Sequence, residues 1–387
     1  EMITGQDLVE WQLRIAAGEN LPLRQDEIER RGHSVEARVY AEDPDNDFFP
    51  GLGKIVHLRE PQSSRKLPTN DFFDDVRVES SVRQDDEITM FFDPMISKLV
   101  VWSEDRETAL KKLVKGLSDY RILGVKNNIE FLKRILVHPE FQGGDFDTGF
   151  IPKFRDDLIN QTKVFPKDDF VAALIGNILS EQEHGSSGPW DKADNFRLNY
   201  HQKRDIELLY GEDSEITATV EYHSNSYEVK LKASSKLGEV DVTETVSGRK
   251  IGENRVEIQY GDRVQFYDFV REGQDLYVVD SEGRVTNMKI KLPKFDTTDA
   301  ASAGAKNTIK SPLPGTIVKF ECQPGDAVEA GQTLVILKAM KKEHKLQAGE
   351  DAIVEEVFGQ EGEVVAHGKV LVKFEKKPED GSESDEQ

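Results

Sequence analysis

The amino-acid sequence predicts an α+β protein of several domains. Three observations support this fold class. Alternating apolar patterns give way to helical spacing within residues 1–155, short strands follow a single helix within residues 156–295, and residues 308–375 contain an internal repeat. The 387 residues are enough for two or three domains.

The composition excludes several classes of function. Acidic residues outnumber basic ones by 73 to 51, for a net charge of -22. This charge argues against nucleic acid or an anionic membrane surface as the main partner, because both attract cationic faces. No apolar run reaches the roughly 18 residues that a membrane span needs. The single cysteine, Cys322, excludes a disulfide framework and indicates a reducing compartment.

The first region, residues 1–155, mixes strands with helices. Strand alternation is clearest where Val76 and Val78 face one way and Arg77 and Glu79 face the other. From Arg106 onwards, apolar residues recur at helical spacing. The predicted helices are Gln6–Ala17, one starting at Arg106, and Asn128–Leu136; the predicted strands are Ser34–Tyr40, Asp75–Glu79 and Ser97–Trp102.

The second region, residues 156–295, is predicted to be one helix followed by an antiparallel meander or barrel. The helix covers Asp168–Ser180, where apolar residues keep helical spacing. The predicted strands are Val220–Lys232, Glu239–Val246, Val256–Tyr260, Val264–Val270, Leu276–Asp280 and Val285–Lys291. Residues 296–307 are small and polar, which is typical of a flexible linker.

The third region, residues 308–375, contains two similar halves. Residues 315–337 align with residues 352–374, so that Gly325 matches Gly362 and Gly331 matches Gly368. Two such halves predict a small flattened barrel with quasi-twofold symmetry, joined by a hairpin within residues 338–349. The acidic tail, residues 376–387, is predicted to be disordered.

The hairpin reads Ala339-Met340-Lys341-Lys342, and a Pro-x-Pro-Gly turn at residues 312–315 precedes it. This combination resembles the biotinyl carrier domain of biotin-dependent carboxylases. The resemblance implies that a biotin protein ligase attaches biotin to Lys341. This sequence has Lys342 where the family usually has Met. Lipoyl carrier domains share the fold and are the alternative, although they usually have Asp-Lys-Ala at the tip.

Four motifs in the first region resemble the C-terminal part of biotin carboxylase: EMITG at residues 1–5, EARVYAEDP at 36–44, VRVES at 76–80 and DPMISKL at 93–99. The resemblance implies that Arg77 contacts the ureido oxygen of biotin and stabilises the enolate formed during carboxylation. The alternative is a surface arginine paired with Glu79. In the family, ATP, Mg²⁺ or Mn²⁺ and bicarbonate are bound mainly by an ATP-grasp region that precedes these motifs. We therefore expect this chain to be inactive alone, and we assign it no metal site.

The order of the parts resembles the α subunit of acyl-CoA carboxylases. Residues 8–13, 138–141, 150–152, 189–190 and 196–199 resemble the 3-methylcrotonyl-CoA type, which acts in leucine degradation. That type carboxylates biotin and then delivers the carboxyl group to the acyl-CoA on a separate carboxyltransferase β subunit. The propionyl-CoA and geranyl-CoA types are alternatives, and so is a carrier and docking module without catalysis. The resemblance implies the mitochondrial matrix or a bacterial cytoplasm.

Overall fold

The computed structural model describes residues 1–62, 75–159, 165–183, 200–211, 214–223, 226–235, 238–291, 308–312, 314–339, 342–366 and 368–374. The chain forms two compact units. The first comprises Glu1–Phe49, Lys54–Asp86 and Met95–Pro293, and the second comprises Pro50–Gly53, Glu87–Pro94 and Lys294–Gln387. The predicted linker at 296–307 and tail at 376–387 lie outside the described residues. Within the described residues, no helix is long and apolar enough to cross a bilayer.

The first part of unit one is a mixed α+β layer. Its helices are α1 (Leu8–Ala16), α2 (Arg106–Asp119), α3 (Ile129–Val137), α4 (Pro139–Gly143), α5 (Phe150–Lys153) and α6 (Arg155–Leu158), with 3₁₀ turns at Gln25–Glu27 and Pro44–Asn46. The strands in this part of the sequence are β1 (His33–Tyr40), β2 (Glu42–Asp43), β3 (Phe49–Pro50), β4 (Gly53–Lys54), β5 (His57–Arg59), β6 (Val76–Ser80), β7 (Glu87–Ile88), β8 (Met95–Ser103) and β9 (Arg121–Leu123). Strand β7 belongs to unit two, and β3 and β4 each have one residue in either unit.

Strand β8 is the centre of a three-stranded antiparallel sheet in the order β1-β8-β6. Because both of its neighbours and helix α2 cover it, β8 is buried along most of its length. Helix α2 begins where the Asp105 carboxylate accepts a hydrogen bond from the Thr108 N–H at 2.8 Å. Its buried stripe includes Leu110, Leu113 and Leu117, as the helical spacing predicts.

The second part of unit one is a closed eight-stranded barrel around a helix. Helix α7 (Lys167–Glu183) precedes strands β10 (Lys203–Tyr210), β11 (Ser214–Tyr222), β12 (Tyr227–Ser235), β13 (Gly238–Gly252), β14 (Arg255–Tyr260), β15 (Arg263–Glu272), β16 (Asp275–Val279) and β17 (Val285–Ile290). Residues 170–178 of α7 are all buried, so this helix is surrounded on every side. The structure confirms the α+β class and the helix-plus-barrel region.

One predicted strand in the barrel is wrong, and one observed strand was not predicted. Val220–Lys232 is not one strand: β11 ends at Tyr222 and β12 begins at Tyr227, and the two pair with Val220 opposite Val229. The His223 N–H donates to the Ser226 carbonyl at 2.9 Å and closes the turn between them. Strand β10 was missed, because charged residues occupy its outward positions and weaken the apolar signal.

The described part of residues 308–374 forms two four-stranded sheets. The strands are β18 (Thr308–Lys310), β19 (Gly315–Phe320), β20 (Ala327–Val328), β21 (Thr333–Ala339), β22 (Lys342–Gln347), β23 (Ala352–Val357), β24 (Val364–Val365) and β25 (Val370–Phe374). Their orders are β18-β25-β23-β20 and β22-β21-β19-β24. Exchanging β18 with β22, β19 with β23, β20 with β24 and β21 with β25 converts one order into the other. The predicted quasi-twofold fold is therefore confirmed.

Hydrogen bonds obey the same symmetry. The Gly325 N–H donates to the Val354 carbonyl at 2.8 Å, and the matching Gly362 N–H donates to the Ile317 carbonyl at 2.7 Å. Both glycines have positive φ, 93° and 85°, where a side chain would be strained. Each half therefore closes its turn onto a strand of the other half, and neither half forms the core alone.

Candidate functional site

The predicted biotin-attachment site lies in the hairpin between β21 and β22. The last paired residues of the ladder are Ala339 and Lys342, preceded by Lys338 opposite Glu343. Met340 and Lys341, which connect the two strands, lie outside the described residues. By sequence number, the predicted Lys341 falls between the paired residues Ala339 and Lys342.

The hairpin is anchored on one side and open on the other. Leu337, Ala339 and Leu346 are buried, and Leu337 and Leu346 belong to the apolar core of the domain. Lys338 and Glu343 are exposed on the opposite side. The alternation of the two strands therefore fixes the base of the hairpin while its outer face contacts solvent.

The predicted active-site arginine lies in unit one, on strand β6. Arg77 is opposite Val100 of β8, and Glu79 is opposite Lys98. The side chain of Arg77 is 25% exposed, so its guanidinium is partly shielded from water. The strand alternation that predicted Arg77 and Glu79 on one face is confirmed by the ion pair between them, at 3.0 Å.

Arg77 has a second acidic neighbour that the sequence did not indicate. Its Nη1 lies 2.8 Å from Glu1 Oε2, while the Glu1 Oε1 accepts the Leu8 N–H of helix α1 at 3.2 Å. Lys98 Nζ lies 3.3 Å from Glu79 Oε2. The four side chains carry two positive and two negative charges. Carboxylates on two sides hold the guanidinium, and Lys98 balances part of the charge of Glu79.

Sequence reasoning could find Glu79, because it is two residues from Arg77 on one strand. No local pattern connects Glu1 to Arg77, since the two residues are 76 positions apart and meet only through the tertiary fold. The role of Arg77 in biotin chemistry stays a prediction. The ion pair with Glu79 is compatible with both interpretations given above.

Comparison with known proteins gives a separate family match for each of the two regions that contain the predicted residues. Residues 36–153 match the biotin carboxylase C-terminal domain, and residues 307–374 match the family described as biotin-requiring enzymes. Arg77 lies within the first match and the β21–β22 hairpin within the second. The chain is 37% identical over 391 aligned positions to the mitochondrial methylcrotonoyl-CoA carboxylase subunit α of Mus musculus, covering 98% of this chain and 52% of that protein.

Over almost its whole length the chain is similar to methylcrotonoyl-CoA carboxylase α subunits. The corresponding protein of Dictyostelium discoideum is 35% identical over 96% of this chain and 52% of its own length. The mitochondrial propionyl-CoA carboxylase α chain of Sus scrofa is 29% identical over 97% of this chain and 50% of its own length. The chain spans about half the length of the curated relatives it matches.

Proposed function

We propose that this chain is the biotin-carrying part of a 3-methylcrotonyl-CoA carboxylase α subunit. The observation that carries the proposal is the β21–β22 hairpin, which lies within the matched biotin-requiring domain and whose ladder ends at Ala339 and Lys342, the residues on either side of Met340 and Lys341 in the sequence. The type of carboxylase is supported by identity, which is 37% to the mouse methylcrotonoyl-CoA protein and 29% to the pig propionyl-CoA protein.

The hairpin fits covalent biotin. A carrier lysine must project from a tight turn so that a biotin protein ligase and then the carboxylase sites can reach it. The ladder runs to the Ala339–Lys342 pair, which leaves only two residues in the connection. The buried Leu337 and Leu346 hold the base of the hairpin in the core, so an amide formed at Lys341 disturbs no packing at that base.

Arg77 is the residue proposed to act on biotin. When bound, biotin supplies a ureido nitrogen that carries the carboxyl group between the two half-reactions. The guanidinium of Arg77 stays charged and offers N–H donors to the oxygen on which negative charge develops. Glu1 and Glu79 hold the guanidinium at 2.8 and 3.0 Å, which limits the reorientation needed during the reaction.

The partners follow from the same proposal. ATP, Mg²⁺ or Mn²⁺ and bicarbonate serve the carboxylation of biotin, a carboxyltransferase β subunit accepts the carboxyl group for 3-methylcrotonyl-CoA, and the barrel docks that β subunit. The named relatives of mouse, rat and Dictyostelium are mitochondrial, which supports the mitochondrial matrix as the compartment.

Transfer of the carboxyl group can be tested without the ATP-dependent step. The chain is first biotinylated with a biotin protein ligase. It is then mixed with a methylcrotonoyl-CoA carboxylase β subunit and with carboxylated 3-methylcrotonyl-CoA whose added carboxyl group is radiolabelled, so that the transfer runs in reverse, from the acyl-CoA to biotin. We expect label to move onto the wild-type chain, and onto Lys338→Arg as the matched control. Lys341→Arg should stay at background.

Two outcomes contradict parts of the proposal. Greater labelling from carboxylated propionyl-CoA with its own β subunit would overturn the substrate and leave the carrier role intact. Absence of label in both pairings, with the biotinylated wild-type chain, would overturn the role in acyl-CoA carboxylation.

A further inference from the structure

Two arginines lie directly opposite each other on a short ladder of unit one. Strands β5 and β9 pair antiparallel, with Arg59 opposite Arg121. Two like charges at opposed positions repel each other, and Arg121 is almost completely buried. The ladder therefore needs a compensating negative charge in order to be stable.

The compensating charge comes from the barrel. Asp268 of strand β15 accepts hydrogen bonds on one oxygen, Oδ2, from Arg121 Nε at 2.8 Å and from Arg59 Nη2 at 2.8 Å. Burial by itself raises the pKa of Asp268, but the Arg121 hydrogen bond and the charge of Arg59 lower that pKa below its usual value. The carboxylate thus stays ionised between the two guanidinium groups.

Apolar and backbone contacts continue this interface. Leu123 of β9 forms an apolar cluster with Tyr277 and Val279 of β16. Lys133 Nζ of helix α3 donates to the Glu282 carbonyl in the β16–β17 turn at 2.7 Å.

A glycine in the same turn allows the two parts to approach closely. A Cβ at Gly283 would lie 2.4 Å from the Ser118 carbonyl oxygen of helix α2, which is closer than any real contact. Glycine is therefore needed both for its φ of 82° and for this close approach.

We propose that Asp268, held by Arg59 and Arg121, is a clamp that joins the carboxylase-like part of the chain and the barrel into one body. The two parts then keep a fixed geometry, so a β subunit docked on the barrel is positioned relative to the carboxylase part. That functional consequence rests on the proposed function above, whereas the clamp itself does not. A buried carboxylate between two guanidiniums suits this role because removing it leaves two uncompensated charges at the contact.

Hydrogen exchange on the full chain tests the clamp. In Asp268→Asn we expect amide exchange at residues 57–59, 121–123 and 276–279 to rise at least about tenfold, the equivalent of about 1.4 kcal/mol of local opening. The control is Glu257→Gln, which removes a carboxylate from an arginine pair within the barrel, at 2.9 Å from Arg249. This control should leave exchange at those three segments unchanged.

Arg59→Met is a second variant, which keeps the clamp testable if Asp268→Asn does not fold. Arg59 is about half exposed, so its loss is milder than loss of the buried Asp268. It should raise exchange at the same segments by a smaller factor. Unchanged exchange at all three segments in a folded Asp268→Asn or in Arg59→Met would overturn the clamp. Because no biotin or acyl-CoA is used, that failure is distinct from a failure of the proposed function.

Discussion

The barrel (β10–β17) and the C-terminal domain (β18–β25), called the carrier domain after its proposed function, each have eight described strands, but they fill their interiors differently. The barrel closes around helix α7, whose residues 170–178 are buried on every side. The carrier domain has two four-stranded sheets whose own side chains meet, including Leu334, Leu337 and Leu371. The ring of eight strands encloses the helix in its apolar core, whereas the two facing sheets fill their interior with their own side chains. The barrel therefore depends on one helix that precedes it, and the carrier domain depends on its two halves equally.

Glycines have different tasks in the two regions. In the barrel, Gly176 and Gly248 allow close packing: a Cβ at Gly176 would lie 2.7 Å from the Phe269 ring, and one at Gly248 would lie 2.5 Å from Ile175. In the carrier domain, Gly325 and Gly362 have open space around them and supply a positive φ. The first pair brings helix and strands together, and the second pair makes turns.

The largest predicted effect is loss of the helix filler. Phe170 is fully buried, with its ring centroid 4.8 Å from that of Phe165 and 5.4 Å from that of Tyr210. Phe170→Ala should lower the free energy of unfolding of unit one by about 4 kcal/mol, because it removes apolar contacts and leaves a cavity. Phe266→Ala, on the outer face of the barrel, should cost less than about 1 kcal/mol. Equal losses in thermal unfolding would contradict a helix-filled core.

A smaller effect concerns the start of helix α7 and depends on pH. Burial raises the pKa of Asp169 to about 6, and its carboxyl accepts the Thr286 hydroxyl at 2.5 Å. The unfolded state releases the carboxyl proton at about pH 4 and the folded state at about pH 6, so the cost of ionising Asp169 grows between these pH values and is complete above them. Asp169→Asn should be more stable than wild type by about 3 kcal/mol at pH 8.

The stability gap of Asp169→Asn should shrink as the pH falls from 6 towards 4. Urea unfolding of both proteins at pH 8 and pH 4.5 measures this change. A gap of equal size at the two pH values would show that ionisation of Asp169 is not its cause.

The smallest predicted effect tests the symmetry of the carrier domain. Gly325→Ala and Gly362→Ala should each lower its free energy of unfolding by about 1 kcal/mol, because alanine is strained at positive φ. Gly349→Ala has open space and no positive φ, so it should change stability by less than about 0.5 kcal/mol. Clearly unequal losses in the free energy of unfolding for Gly325→Ala and Gly362→Ala would contradict the quasi-twofold symmetry.

The same comparison explains what the sequence could predict. The same pattern occurs twice in the carrier domain, in residues 315–337 and in residues 352–374, and each copy supports the prediction made from the other. The structure confirms the matched strands β19 and β23, and β21 and β25. The barrel offers no repeat, and its alternation is weak where outward positions are charged, as in β10. The predicted strand Val220–Lys232 joins the end of β11 to β12, because residues 223–226 include neither Gly nor Pro to mark a break.

The sites divide in a similar way. Strand alternation predicted that Arg77 shares a face with Glu79, and the hairpin motif located the connection that contains Lys341. The contact of Arg77 with Glu1, and the meeting of Asp268 with Arg59 and Arg121, join residues that are far apart in the chain. Only tertiary packing brings such charges together, so the periodicity of the sequence cannot predict these contacts.

Biotin attachment is the central claim, and peptide mass spectrometry tests it most directly. The purified chain is treated with biotin protein ligase, ATP and biotin, then digested and mapped. We predict one biotinyl group, on Lys341, with the adjacent Lys342 unmodified and no addition to Lys341→Arg. A biotinyl group on another lysine, a lipoyl group in its place after lipoyl ligase treatment, or no addition to the wild-type chain would contradict the account.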